Sequence, residues 1–391
     1  MSEKVLINIL SKEMMPNFIA AMEVTPDRVI ALTTPRSKEQ VGLFEKMTGI
    51  PHESREIDPF DLHTDYERVC GLIGEFSSET EIVLNFTGGT KVMSLATALG
   101  CIRLSETRSI ELIYVDTERR QMETLKLENG QLIFGKERPL TIPIPLEAYI
   151  NLAGETMASS QTELSEAGEA RRNIARALLG EQYRTFFRMG TIRKTLAENC
   201  TEGDLLFPLC DPKGRRSDEQ GRLHWDGTGF LLNTGRESMQ CACSDSASFF
   251  NGTWLEEFAF NACLESRKFD TVTTNIVLSL HPETIEGEQR LPWNRKRSLE
   301  VLRDKNEIDL VVTKGPRAAL CECKSGQVRQ EDIYKLIALK NLLLGRLGVA
   351  VLISRLEPSP KIREKMKDCG IRCIQGSALK RLPTALEAYL T

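Results

Sequence analysis

The 391-residue chain contains no apolar run approaching the roughly 20 residues needed to cross a bilayer, so neither a spanning helix nor a membrane partner is expected. Its opening, MSEKVLINIL, lacks the zones of a signal peptide and reads as a first buried strand. Internal repeats and low-complexity tracts are also missing, which excludes solenoid and linker-type chains. Net charge is only −4, so the molecule as a whole is not an electrostatic glove for nucleic acid. A secreted disulfide framework does not fit: the 11 cysteines are odd in number and scattered through apolar segments such as those of Cys101, Cys263 and Cys321. A reducing, cytoplasmic setting fits better. Cys210, His224, Cys241 and Cys243 match no common zinc spacing.

What is present describes a folded protein. Hydrophobic residues make up 41% and charged residues 27%, enough for a core and too ordered a mixture for disorder. The length suggests two or three domains. Residues 1–145 alternate strand and helix, with strands at VLINIL, RVIALTT, EIVLNF and IELIYVD. Such alternation predicts a mostly parallel α/β sheet, whose ligands bind beyond the carboxyl ends of the strands.

One loop there stands out. Asn85-Phe86-Thr87-Gly88-Gly89-Thr90-Lys91 joins a strand to a helix start. Paired glycines allow close backbone approach, and a helix N-terminus favours anions. Thr87, Thr90 and Lys91 add donors. The spacing is not that of a Walker loop. An ordinary turn, with Thr90 capping the helix, is the plainer alternative.

Residues 146–250 read as helices followed by a polar, Gly-rich stretch in which GRLHWDG and GFLLN suggest a short hairpin. Arg215 and Arg216 are the only hint of a backbone contact there, and a plain connector competes with a winged-helix-like one. A basic cluster follows at Arg290, Arg295, Lys296, Arg297, Arg303 and Lys305; it reads as either a phosphate-binding patch or a solvated loop.

In residues 251–391 the stretch NEIDLVVTKGPRAALCECKSG reads as strand, turn and strand. Alternation puts Glu322 and Lys324 on one face and Cys321 and Cys323 on the other. A bare Glu-x-Lys is often a solvated pair. Here the flanks are apolar on both strands, so burying Asp309, Glu322 and Lys324 is costly unless they pair or bind metal. Two carboxylates beside an amine suit an oxygen-ligated divalent ion and phosphodiester hydrolysis. An upstream helix over GTWLEEFAFNACLESRKF offers Glu256 or Glu257 as a third acid, and the sequence does not choose between them.

These residues resemble the PD-(D/E)xK nuclease superfamily, with Ile308 standing where its usual Pro precedes the first Asp. The resemblance implies Glu256, Asp309 and Glu322 as catalytic and metal-binding carboxylates. The backbone carbonyl of Cys323 would be a further metal ligand, and Lys324 the group that orients or deprotonates water. Mg2+ or Mn2+ is the implied cofactor, and Gln330 an accessory polar residue. The loop NFTGGTKVM resembles the ligand loop of CARF sensor domains in the effector nucleases of type III CRISPR systems. That likeness implies a Rossmann-like CARF domain over 1–145, a helical or winged-helix-like linker over 146–250, and a restriction-endonuclease-like domain over 251–391. It implies a homodimer activated by cyclic oligoadenylate, most often the tetra-adenylate, with DNA and/or RNA as substrate. Ser11, Lys12, Thr33, Thr34, Thr87, Gly88, Gly89, Thr90 and Lys91 are the implied ligand-binding residues. A catalytically inactive nucleotide-binding scaffold is the alternative, and an unregulated restriction-type enzyme a third.

Overall fold

A computed structural model describes residues 2–11, 13–163, 168–184, 186, 194, 201–211, 213–242, 248–279 and 307–391. Two compact units divide at Ala153 and Gly154.

The first unit is built on strands β1 (Lys4–Ile9), β2 (Arg28–Thr33), β3 (His52–Glu56), β4 (Glu81–Asn85), β5 (Ile110–Asp116), β6 (Gln121–Glu128), β7 (Gln131–Phe134) and β8 (Arg138–Pro139). Their order is β3-β2-β1-β4-β5-β6-β7, with β8 paired to β6. The first five strands are parallel, and β6 to β8 add antiparallel pairs. Helices α1 (Met15–Val24), α2 (Val41–Thr48), α3 (Leu62–Gly74) and α4 (Lys91–Leu104) connect the parallel strands, and α5 (Leu146–Leu152) closes the unit. β1 and β2 are apolar runs buried over almost their whole length, as parallel strands covered on both faces must be. The strand order reverses between β1 and β4, so their carboxyl ends form the switch-point crevice expected from the sequence.

The segment over 146–250 is mixed. It supplies α5 to the first unit, while strand β9 (Thr156–Gln161) joins a sheet of the second. Helix α6 (Gly168–Ala177) follows. The hairpin expected near GRLHWDG and GFLLN is the centre of a four-stranded antiparallel sheet: β10 (Gly203–Cys210), β11 (Arg216–Trp225), β12 (Gly229–Asn233) and β13 (Ser238–Ala242). Its inward residues Phe207, Leu223, Trp225, Phe230 and Leu232 are buried. Cys210 pairs across from Arg216 whereas His224 pairs across from Asp204, which puts these two zinc candidates at opposite ends of β11. Cys243 and the basic cluster at 290–305 lie outside the described residues.

The six-stranded sheet runs β18-β17-β16-β15-β14-β9. Its later strands are β14 (Thr271–Ser279), β15 (Glu307–Lys314), β16 (Arg317–Lys324), β17 (Gly348–Ser354) and β18 (Arg372–Gln375). Helix α7 (Trp254–Ser266) precedes β14, α8 (Gln330–Leu339) links β16 to β17, α9 (Pro360–Asp368) links β17 to β18, and α10 (Leu382–Leu390) ends the chain. β15 and β16 are central and buried, with Gly315 at φ +55 in the turn between them. Cys321 and Cys323 join a core with Leu310, Val351, Ala259 and Leu386. Among the described residues no helix is long and apolar enough to cross a membrane.

Candidate active site and candidate ligand loop

The register of β15 on β16 pairs Leu310 with Cys321 and so brings Asp309 level with Glu322. Both carboxylates are buried, Glu322 at 2% exposure. The Cys323 backbone N–H donates to Asp309 Oδ2 at 2.6 Å, and the Thr274 hydroxyl donates to the Asp309 carbonyl at 2.6 Å. Glu322 is held by two ammoniums: Lys324 Nζ lies 2.6 Å from Oε1 and Lys335 Nζ 3.1 Å from Oε2. Lys324 also reaches Asp332 Oδ1 at 3.5 Å. Gln330 is exposed at the start of α8, where its amide donates to the Tyr334 hydroxyl at 2.6 Å.

The choice between the two helix acids is made by packing. Glu257 accepts from Arg171 at 2.7 Å. Glu256 instead faces the strand acids. Burial, then the charge of Asp309, pushes its carboxyl up to about 8. Burial, then Glu322, pushes Asp309 up to about 7, against the opposing Cys323 hydrogen bond. For Lys324 burial favours the neutral amine, but Glu322 and its neighbours outweigh it and hold the group above its ordinary value, as an ammonium.

Thus Asp309, Glu322 and Lys324 come together, Glu256 on α7 is near enough to feel their charge, and two groups not foreseen, Lys335 and Asp332, join them. A lysine amid the apolar positions of an amphipathic helix reads as a solvated residue; only the approach of α8 to β16 buries it. The side-chain donors are all carboxylates, the chemistry a hard divalent cation takes. Crowding of buried acids is what such a cation would relieve. The side chains are at present turned to lysines and backbone, and among the described residues no three His, Cys, Asp or Glu form a ready cluster of ligands.

The loop after β4 rests on a buried amide network. Asn85 Nδ2 donates to Asn8 Oδ1 at 3.0 Å and Asn17 Oδ1 at 2.9 Å, and Asn17 donates to the Ile9 carbonyl at 2.9 Å. Asn85 Oδ1 accepts from the Thr87 N–H at 3.1 Å and hydroxyl at 2.6 Å. Gly88 lies so close to β1 that a Cβ there would meet the Ile9 carbonyl oxygen at 2.3 Å. Gly89 has φ +84. The Thr87 hydroxyl also accepts from Val115 N at 2.7 Å. The Thr90 hydroxyl caps α4 by accepting from Met93 N and donates to the Pro59 carbonyl. Both threonines therefore build the loop, leaving the exposed Gly89 backbone and the exposed Lys91 to face outward.

Ser11 follows β1 and its hydroxyl is 3.4 Å from the Cβ position of Gly88. Thr33 is fully buried, bonded to Ser54 at 2.8 Å, and Thr34 is bonded through its N–H to Ser37. Lys12 lies outside the described residues. The remaining candidates therefore collect at the carboxyl ends of β1, β2 and β4.

Fold and sites together define a two-part class: a Rossmann-like unit with a glycine loop at its switch point, then a restriction-endonuclease-like unit with an acid–lysine centre. Residues 5–143 match the Card1 CARF domain family, and residues 243–390 match the Card1-like endonuclease domain family. The chain thus carries a CARF domain and an endonuclease domain of these two families in one polypeptide. No curated protein sequence matches it. Among solved structures it is similar to Can2 from Sulfobacillus thermosulfidooxidans in complex with cyclic tetra-adenylate, with 19% identity, 99% of each chain covered and a TM-score of 0.69. Protein VC1899 from Vibrio cholerae shares 15% identity over 99% of this chain and 98% of its own, with a TM-score of 0.70. A type III CRISPR defence DNA nuclease activated by cyclic oligoadenylate shares 16% identity, covering 92% of this chain and 47% of that one, with a TM-score of 0.51. At these identities the likeness concerns fold.

Proposed function

We propose that the protein is a metal-dependent endonuclease that hydrolyses phosphodiesters of DNA and/or RNA when a cyclic oligoadenylate binds its CARF domain. The setting is antiviral defence of the type III CRISPR kind, and cyclic tetra-adenylate is the favoured activator. The observation that carries the reading is Asp309 standing level with Glu322 on adjoining strands, with Lys324 2.6 Å from Glu322, in the endonuclease domain of a chain that also holds a CARF domain.

Glu256, Asp309, Glu322 and the Cys323 carbonyl would hold Mg2+ or Mn2+. Bound there, such an ion supplies Lewis-acid stabilisation of phosphoryl charge and acidifies a water. Lys324, kept cationic by Glu322, holds the non-bridging oxygens and orients the attacking water. Lys335 keeps the Glu322 carboxylate in place from the helix side.

In the CARF domain, Gly88, Gly89, Lys91 and Ser11 would meet the ligand at the start of α4. Thr33, Thr34, Thr87 and Thr90 hold the crevice in shape. A homodimer would present two copies of this loop to a ring of twofold symmetry. Leu95, Leu99 and Ile102 support that reading, since they are 50%, 39% and 44% exposed along one face of α4. Activation is a shift of population toward the cleaving state.

The test is a nicking assay with Mn2+, with and without cyclic tetra-adenylate. Glu322→Ala or Lys324→Ala should abolish cleavage and leave activator binding intact. Lys91→Ala should weaken binding and messenger-dependent cutting together. Binding without any cutting by the wild type would favour the inactive scaffold.

A further inference from the structure

Beside the acid centre lies a second, smaller feature. A cavity of about 160 Å³ opens beside Glu256 and Glu257 and is lined further by Gln161, Thr253, Phe260, Asn261, Thr274 and Asn275. Ligand pockets for drug-sized molecules run from about 300 Å³ upward, so this one suits a single planar ring with hydrogen-bonding edges. Its lining is an aromatic ring among amides, hydroxyls and two carboxylates, and the amides and carboxylates can bond the edge of a nucleobase.

Five observations set it apart from ordinary surface. Asn275 adopts φ +52, a left-handed conformation uncommon outside glycine. It sits at an irregularity of β14 against β9, where the register shifts between Thr274 and Val277. Such bulges re-aim a side chain and recur beside functional sites. Its neighbours pair as Thr274 with Leu310 and Ile276 with Ile308, so Asn275 stands level with Asp309 on the adjoining strand. The Thr253 hydroxyl is buried without a hydrogen-bond partner among the described residues, and it does not cap α7, although Thr253 occupies the N-cap position. A buried hydroxyl left unsatisfied is destabilising, which argues for a partner absent from the folded chain itself. Asn275 Nδ2 donates to Gln161 Oε1 at 3.3 Å and Gln161 Nε2 donates to the Glu163 carbonyl at 2.9 Å, and among the described residues the Asn275 amide oxygen has no donor of its own.

We propose that this cavity is a nucleobase pocket that takes the base of a nucleotide adjoining the scissile phosphate. It would give the nuclease a base preference at that position. The proposal rests on the nuclease reading above, since the pocket shares Glu256 with the acid centre and its strand neighbour is Asp309. Phe260, 3% exposed, would form the apolar wall behind the base, while Asn275 and Thr253 would bond its edge.

The test uses the full-length protein with Mn2+, cyclic tetra-adenylate and a randomised oligonucleotide pool whose cut ends are sequenced. Asn275→Gly keeps the left-handed backbone without strain and removes only the amide. Thr253→Val removes the unsatisfied hydroxyl at near-constant shape. The wild type should show enrichment of one or more bases at a position flanking the cut. Either variant should reduce that enrichment at least threefold, with melting temperature unchanged or, for Thr253→Val, raised. Uniform base frequencies for the wild type, or the same enrichment in both variants, overturn the pocket while leaving the nuclease intact. If the wild type does not cut at all, the nuclease reading fails and the pocket is judged by binding. Oligonucleotides with 2-aminopurine at successive positions should then be quenched by the wild type and at least threefold less by Asn275→Gly. Equal quenching overturns the proposal.

Discussion

Glu322 is 2% exposed and carries an ammonium on each oxygen. Removing every partner from such a charge costs about 3–5 kcal/mol. Lys335→Met removes one and leaves Lys324 at 2.6 Å, so we expect a loss of roughly 2 kcal/mol, below that range. Urea unfolding reads it, and an unchanged midpoint would show that the second ammonium contributes nothing. The two crowded acids make a separate statement about pH. Glu256 rises from 4.5 to about 8 and Asp309 from 3.8 to about 7, so the native state holds protons that the unfolded chain has released. Their contribution therefore opposes folding increasingly as pH rises from about 4 to about 8. Without divalent ions the melting temperature should fall across that window from this source. Glu256→Gln should flatten the fall, and Mg2+ should raise the melting temperature most at pH 8. A profile identical in wild type and Glu256→Gln would contradict the packing described for α7.

At the scale of elements, the glycine loop is the clearest case of a sequence signal with a structural cause. Gly88→Ala would drive a methyl group against the Ile9 backbone oxygen, which cannot swing away. Overpacking of this kind costs about 1–3 kcal/mol. We expect a lower melting temperature for the CARF domain and weakened activator binding by calorimetry. Gly42→Ala in α2 has open space around it and should instead stabilise by about 0.5–1 kcal/mol. Elements that escaped the sequence reading share a physical reason. β3 is HESRE, a half-buried edge strand whose charges hide any alternation. β9, TMASSQ, is small and polar, and becomes a strand only because β14 offers it hydrogen bonds. β10 and β13 likewise need their neighbours β11 and β12 to be recognisable as strands.

For the whole molecule the pertinent surface is α4. Leu95, Leu99 and Ile102 repeat at helical spacing beside the ligand loop and are exposed. Leu95→Asp with Leu99→Asp should halve the mass seen by sedimentation, with ring binding weakened because one loop then acts alone. A wild-type monomer at micromolar concentration would remove the basis for the dimer. The acid–lysine centre, by contrast, should still carry its carboxylates in such a monomer, because every residue that forms it comes from α7, β15, β16 and α8 of one chain.

Alternation along a strand is local, so Glu322, Lys324 and the buried cysteines opposite them were legible from spacing alone. The Gly-Gly loop was legible for the same reason: a sharp turn between strand and helix imposes its residue types within a few positions. Tertiary structure alone decided that Glu256 and not Glu257 meets the strand acids, that Lys335 is buried, and that the Thr87 and Thr90 hydroxyls are used up inside the loop. Those outcomes depend on how a helix is rotated against a sheet and on which distant carbonyl, Pro59 or another, comes within hydrogen-bonding reach. Neighbours in the chain do not encode that rotation; it is set by the packing of the entire core.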